Sequence, residues 1–248
     1  MRRAKIVATI GPASQSPEML AKLVEAGMDV ARLNFSHGDH ESHGKTILHI
    51  REASKQLSKP VAIIQDLQGL KIRTGPLEDG APVELETGQN FVLTTQAAVG
   101  NSERVSTSYQ ALPQDLRPGD RLLLSDGLIE LRVLTTTQSD VECEVIAGGT
   151  LAENQGINLP NVKISASALT EKDLRDLDFG AEHQIDYLAL SFIRRPADIL
   201  KLKERLAQGK RDTPVIAKLE KPMAIANLDA IMDVCEGDRE GGLPHGFQ

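Results

Sequence analysis

The amino-acid sequence predicts an α/β fold in which about five strands of one parallel sheet are interrupted once by a small all-β domain. Two observations carry this. Short β-branched runs alternate with stretches of helical period near both ends of the chain, which is the pattern of βα units. Between them, residues 75–160 switch to short strands broken by turn residues such as Gly80, Gly88, Pro118-Gly119 and Asp126-Gly127. Aromatic residues make up only 3% and Trp is absent, so the core has to be aliphatic.

Taken in order, Lys5 to Thr9 reads as the first strand. Ser16-Pro17-Glu18 then offers an N-cap, a proline at the first helical position and an acid in the first turn, ahead of Met19, Leu20, Leu23 and Val24 at helical spacing. Gly27 ends that helix, Val30 to Asn34 forms the second strand, His40 to Leu57 a polar helix and Val61 to Gln65 the third strand. After the β segment the rhythm resumes with a helix from Glu171 to Phe179, a strand from Tyr187 to Leu190 and a helix from Pro196 to Gln208. Val215 to Leu219 is the fifth strand, and a last helix runs from Pro222 to about Val234. The organisation is therefore 1–74 for the first part of the sheet, 75–160 for the insert, 161–235 for the continuation and 236–248 for a tail without apolar period.

With 28 basic and 35 acidic residues the net charge is -7, a poor match to a nucleic-acid backbone or an anionic membrane, so a small-molecule ligand is expected. Met1-Arg2-Arg3 is basic, but the apolar run Ile6 to Ile10 is too short for a signal peptide and no segment could span a bilayer. Cys143 and Cys235 form no metal-binding pattern and read as reduced thiols, which suits the cytoplasm.

Chemistry-bearing residues collect at the strand ends. Arg32, Asn34 and Ser36 are spaced by two and share one face of the second strand, and Lys218 and Glu220 repeat the design on the fifth. Past Asp66 on the third strand, Lys71 and Arg73 are cations of the kind that hold phosphate oxygens. Each alone has a plainer reading, a solvated edge strand, a surface ion pair or a loop that balances nearby acids. Their convergence on one end of a parallel sheet points to a site, because α/β barrels carry their sites there.

Five segments, in order, resemble pyruvate kinase motifs: Lys5 to Ser14, Gly27 to Gly38, Asp66 to Gly75, Ser191 to Arg194 and Ile216 to Pro222. The resemblance covers about residues 3–237. It implies an incomplete TIM (β/α)8 barrel, about five of eight strands, with an inserted small β-barrel lid. It also implies phosphoryl transfer from phosphoenolpyruvate to ADP, giving pyruvate and ATP in a cytoplasmic, homo-oligomeric glycolytic enzyme. By motif, Arg32 and Lys218 match the catalytic cations, with Arg32 binding substrate and Lys218 stabilising the transferring phosphoryl group. Asn34, Ser36 and Asp66 match monovalent-cation ligands, while His37, Arg73 and Lys172 match nucleotide-side contacts. Glu220 matches one of two carboxylates that hold Mg2+ or Mn2+.

Two departures from the family pattern matter. Leu67 and Lys71 stand where potassium-requiring members carry threonine and glutamate, so the resemblance implies that potassium is not required and that Lys71 supplies the charge. After Gly237 the family continues into an Ala-Arg-Gly-Asp segment bearing the second metal carboxylate, which residues 238–248 do not match. The chain as it stands is therefore expected to be truncated and inactive or weak, with sheet edges and the apolar faces of Val7, Leu33, Ile63, Leu190 and Ile216 poorly covered. Alternative readings are a non-catalytic binding protein for a phosphorylated ligand and a related barrel lyase acting on phosphoenolpyruvate or pyruvate.

Overall fold

A computed structural model describes residues 4–160, 162–209 and 212–235, with the side chain of Pro222 left aside. The tail read as 236–248 and the basic Met1-Arg2-Arg3 lie outside the described residues.

The chain packs as two compact units, one running to Leu70 and resuming at Ser167, the other spanning Lys71–Ala166. The first unit begins with β1 (Val7–Ile10), α1 (Pro17–Ala26), β2 (Val30–Asn34), α2 (His40–Gln56) and β3 (Ala62–Leu67). The second holds β4 (Val83–Leu85), β5 (Asn90–Thr94), β6 (Arg104–Ser106), α3 (Leu112–Asp115), β7 (Arg121–Leu124), β8 (Ile129–Thr136), β9 (Asp140–Ala147), β10 (Gly149–Leu151) and β11 (Ile157–Asn158). The first unit then resumes with α4 (Glu171–Glu182), β12 (Tyr187–Leu190), α5 (Pro196–Gln208), β13 (Val215–Ala217), α6 (Pro222–Ala226) and α7 (Leu228–Val234).

In the first unit β1, β2, β3, β12 and β13 lie side by side in that order, and every pairing is parallel. Helix starts follow the local chemistry. Ser16 Oγ accepts the Met19 N–H ahead of Pro17, while Asp39 and Thr170 form reciprocal capping boxes with Ser42 and Asp173. The helix expected from Pro222 to Val234 is two, because Asn227 Nδ2 bonds the carbonyls of Arg194 and Met223 and holds its own backbone out of the helical region.

The main core forms where Leu33, Ile63, Leu67 and Leu190 meet Leu20, Val24, Ile47, Ile50, Leu177 and Leu202 from the helices. Val30, Ile64 and Ala189, with Ile216 against them, line the opposite face. This corrects the expectation for Leu33, Ile63 and Leu190, which lie deep under the helices rather than poorly covered. Strands buried on both faces read as apolar throughout, so alternation does not reveal which parity points where. Only Val7 and Ile216 of the five lie on the face away from the helices, and Val7 is exposed.

The second unit is a six-stranded sheet in the order β11, β7, β8, β9, β5, β6, antiparallel except for β5 with β6, beside the two-stranded β10 and β4. Phe91, Leu93, Leu122, Leu131, Val141 and Cys143 fill its core, and burial pushes the Cys143 thiol up to about 12, so it is inert at neutral pH. Its limits fall outside 75–160 because Arg73 and Thr74 already bridge to Gly156 and Thr107.

Candidate active site

The parallel register sets the site. Asn34 pairs with Asp66, Asp66 with Ala189, and Leu190 with Ala217, which brings the C-terminal ends of β2, β3, β12 and β13 level. Arg32 and Asp66 alternate with buried core residues and so share the face away from the helices. Lys218 follows β13, where its N–H donates to the Leu190 carbonyl.

Asp66 is the centre, its side chain 2% exposed, and three donors reach it. Arg32 Nε and Nη2 lie 2.8 and 2.5 Å from Oδ2, and Lys218 Nζ lies 3.2 Å from the same oxygen. Ser191 Oγ lies 3.3 Å from Oδ1 and 2.9 Å from the Leu67 carbonyl. Arg32 Nη1 donates to Thr9 Oγ1 at 2.8 Å, so the guanidinium is held at both ends while keeping two N–H groups for a ligand. Lys218 Nζ spends its three donors on Asp66, on Ser191 Oγ at 2.8 Å and on Glu220 Oε1 at 3.2 Å. Glu220 is the most exposed of these partners at 37%, so its contact with Lys218 is the one most readily exchanged.

A second cluster surrounds the turn after β2. Asn34 Oδ1 accepts the Ser36 N–H at 3.1 Å, and His37, exposed, donates its N–H to the Asn34 carbonyl. Lys172 Nζ donates to the Phe35 carbonyl and to Asp176 Oδ2, both at 2.6 Å, and His40 Nε2 donates to Asp176 Oδ1 at 2.7 Å. His43 stacks on Phe35 at 4.1 Å and donates Nε2–H to the His37 carbonyl at 2.9 Å.

Burial, first of all, holds the His43 ring below its ordinary pKa; Lys172 and His40 push the same way, while the His37 carbonyl and Asp176 oppose. His183 also faces this packing, close to Gly44 and against Phe179. Because the unfolded chain takes the proton more readily, this contribution to stability is complete above about pH 6.5 and is lost as pH falls through the folded value. His43→Phe keeps the stack and removes the titration, so its denaturant midpoint should fall less than the wild type's between about pH 7 and 5. Parallel midpoint curves for the two proteins would refute that.

The structure thus brings together Arg32, Asp66, Lys218 and Glu220, and places Asn34, Ser36, His37 and Lys172 around the adjoining turn. Arg73 belongs to the second unit, where its N–H donates to Ser108 Oγ and Nη1 reaches the Asn154 carbonyl at 3.3 Å. Lys71 belongs there too, its carbonyl accepting from Ser108. Leu67 turns its side chain into the helix-facing core. Sequence reasoning gave no individual role to Thr9, Ser191 or Asp176, although Thr9 and Ser191 lie within two of the matched motifs; Ser191 also continues the parity of Ala189 past the end of β12.

For a divalent metal, no group of three His, Cys, Asp or Glu converges among the described residues. Glu220 follows β13 with one oxygen on Lys218 and the other on the Phe192 N–H, and Lys221 adds a nearby charge; a single exposed carboxylate of this kind fits Mg2+, since that ion takes one or two carboxylates and fills its shell with water and phosphate.

A parallel sheet with cations and carboxylates gathered at its C-terminal strand ends defines an α/β barrel-type enzyme domain. A family model described as the pyruvate kinase barrel domain matches residues 1–238. The chain is 47% identical over 231 residues to pyruvate kinase of Corynebacterium glutamicum, covering 93% of this chain and 48% of that one. It is 46% identical over 239 residues to pyruvate kinase 2 of Synechocystis, covering 95% and 40%. A crystal structure of a pyruvate kinase from Cryptosporidium parvum superposes with a TM-score of 0.87 at 37% identity, covering 95% of this chain and 50% of that one. The chain belongs to the pyruvate kinase family, and it spans half or less of the length of these relatives.

Proposed function

We propose that these residues form part of a site that passes a phosphoryl group from phosphoenolpyruvate to ADP, yielding ATP and, after protonation of the enolate, pyruvate. The observation that carries this reading is the Lys218 ammonium held between Asp66, Ser191 and the exposed Glu220, with the Arg32 guanidinium sharing Asp66. Phosphoryl transfer asks a protein mainly for positioning and charge neutralisation, and two fixed cations with spare or exchangeable donors supply both.

In this reading Arg32 offers its two remaining N–H groups to the substrate phosphate, and Lys218 exchanges Glu220 for a phosphoryl oxygen. Glu220 holds Mg2+ or Mn2+, which neutralises charge on the transferring group. His37, Arg73 and Lys172 serve the nucleotide side; Lys172 keeps one donor beyond Phe35 and Asp176 for that purpose. The Lys71–Ala166 unit acts as the lid, and the protein works in the cytoplasm as a homo-oligomer; among the described residues no helix is long and apolar enough to cross a membrane.

The test is a chimera in which this chain replaces the matching 231 residues of the Corynebacterium glutamicum pyruvate kinase, assayed for ATP formation. Activity within about tenfold of the relative supports the reading; a folded chimera at background refutes it.

The monovalent-cation reading has its own test. Asp66 already carries Arg32 and Lys218, and the Asn34 amide oxygen already accepts the Ser36 N–H, so two of the three expected ligands are engaged. With Lys71 supplying a further charge, the chimera should lose less than about threefold in kcat when potassium is removed. A loss above about tenfold would refute potassium independence.

A further inference from the structure

Seven non-glycine residues among those described have positive φ, and six of them are Ser, Asp, Asn or Gln. The seventh is Phe192, at φ 57°, immediately after Ser191 at the end of β12. A bulky side chain rarely adopts this conformation, and it persists only where the surroundings enforce it. The ring does not explain it by burial, since Phe192 is only half-buried while Ile193 beyond it is fully so.

What the kink does is visible in the contacts. The Phe192 N–H lies 3.0 Å from Glu220 Oε2, and Lys218 meets the other oxygen, so the carboxylate is held from both sides. The ring carries the Lys221 ammonium 5.1 Å from its centroid. On the other side the backbone abuts Gly69, itself at φ 65°, where an added Cβ would lie 2.8 Å from the Ser191 carbonyl oxygen. Segments following β3, β12 and β13 therefore meet at this one backbone turn.

We propose that Phe192 is a positioning residue whose left-handed backbone aims its N–H at Glu220 and fixes the direction of that carboxylate. The catalytic relevance rests on the reading of Glu220 as a metal ligand, but the contact itself does not. Ordinary packing would make Phe192→Val conservative and Phe192→Gly damaging. Backbone positioning reverses that order, because glycine accepts positive φ freely and a β-branched residue does not.

The test uses the full chain, labelled with 15N, and Mn2+ as probe. In the wild-type background Glu220→Gln should shift the Phe192 amide proton, because it removes the carboxylate charge from the bond that N–H makes, and this shift is the amide response. Phe192→Gly should retain the amide response and bind Mn2+ within about twofold of wild type. Phe192→Val should lose the response and bind about tenfold more weakly, and Phe192→Ala, which lacks the ring equally but is not β-branched, should fall between Gly and Val. If Val at this position behaves as wild type, or Gly loses as much as Ala, the proposal is overturned. An amide that ignores Glu220→Gln overturns it as well, whether or not the isolated chain binds Mn2+. Unchanged Mn2+ binding in Glu220→Gln instead overturns the metal reading of Glu220 and leaves the amide response to decide the positioning.

Discussion

Lys218→Met in the chimera should lower kcat by about 10²- to 10³-fold, with KM for phosphoenolpyruvate changed by less than about threefold. The Lys218 side chain is 28% exposed and its ammonium is already aimed by Asp66 and Ser191, so little reorganisation is needed when charge develops on the transferring group. A charge that acts as the bond breaks appears in kcat, whereas one that only attracts the substrate appears in KM. Lys218→Arg should not rescue the loss, because a planar fork cannot meet three acceptors placed around a single nitrogen. Steady-state kinetics on the two variants decide the matter. Normal kcat with only a raised KM would show that Lys218 binds rather than catalyses.

The sequence showed that Arg32, Asn34 and Lys218 would stand at strand ends, because polar residues at period two inside β-branched runs have to reach water or a ligand where the sheet opens. Hydrophobicity alone did not show which apolar residues line which face. Leu33, Ile63 and Leu190 look like Val30, Ile64 and Ala189 by hydrophobicity, and all six are buried. The polar residues held the missing information: whatever shares parity with Arg32 and Asp66 must share their face, which selects Val30 and Ile64. Reading register from the charged ends would have corrected the assignment.

Other features were beyond the sequence for a different reason. The break at Asn227 comes from a tertiary bond to the Arg194 carbonyl, in a stretch whose own period favours one continuous helix. The left-handed backbone of Phe192 opposes local preference outright and is imposed by Gly69 on one side and Glu220 on the other. Asp176 gave no sign of linking His40 to Lys172, since its partners lie 136 and 4 positions away. Such contacts are set by how α2 and α4 pack on the sheet.

Asp66→Ala should destabilise the first unit by about 3 kcal/mol. The carboxylate is 2% exposed and answers two cations at once, so its removal leaves Arg32 and Lys218 facing each other with no anion between them. Complete burial of both cations would put the loss at the upper end of the range for a broken buried pair; their partial exposure, 30% and 28%, lets water offset some of it. Asp66→Asn keeps the shape and one acceptor, so it should cost less while still releasing Lys218 from a full charge. Because the second unit has a core of its own, the measurement has to report on the first, for example through amide exchange of Ile63 and Leu190 in β3 and β12. Exchange in those strands should quicken about 100-fold in Asp66→Ala while Leu122 and Val141 of the second unit keep their protection. Equal acceleration in both units, or a loss under about 0.5 kcal/mol, would mean that Asp66 is not the electrostatic centre its contacts describe.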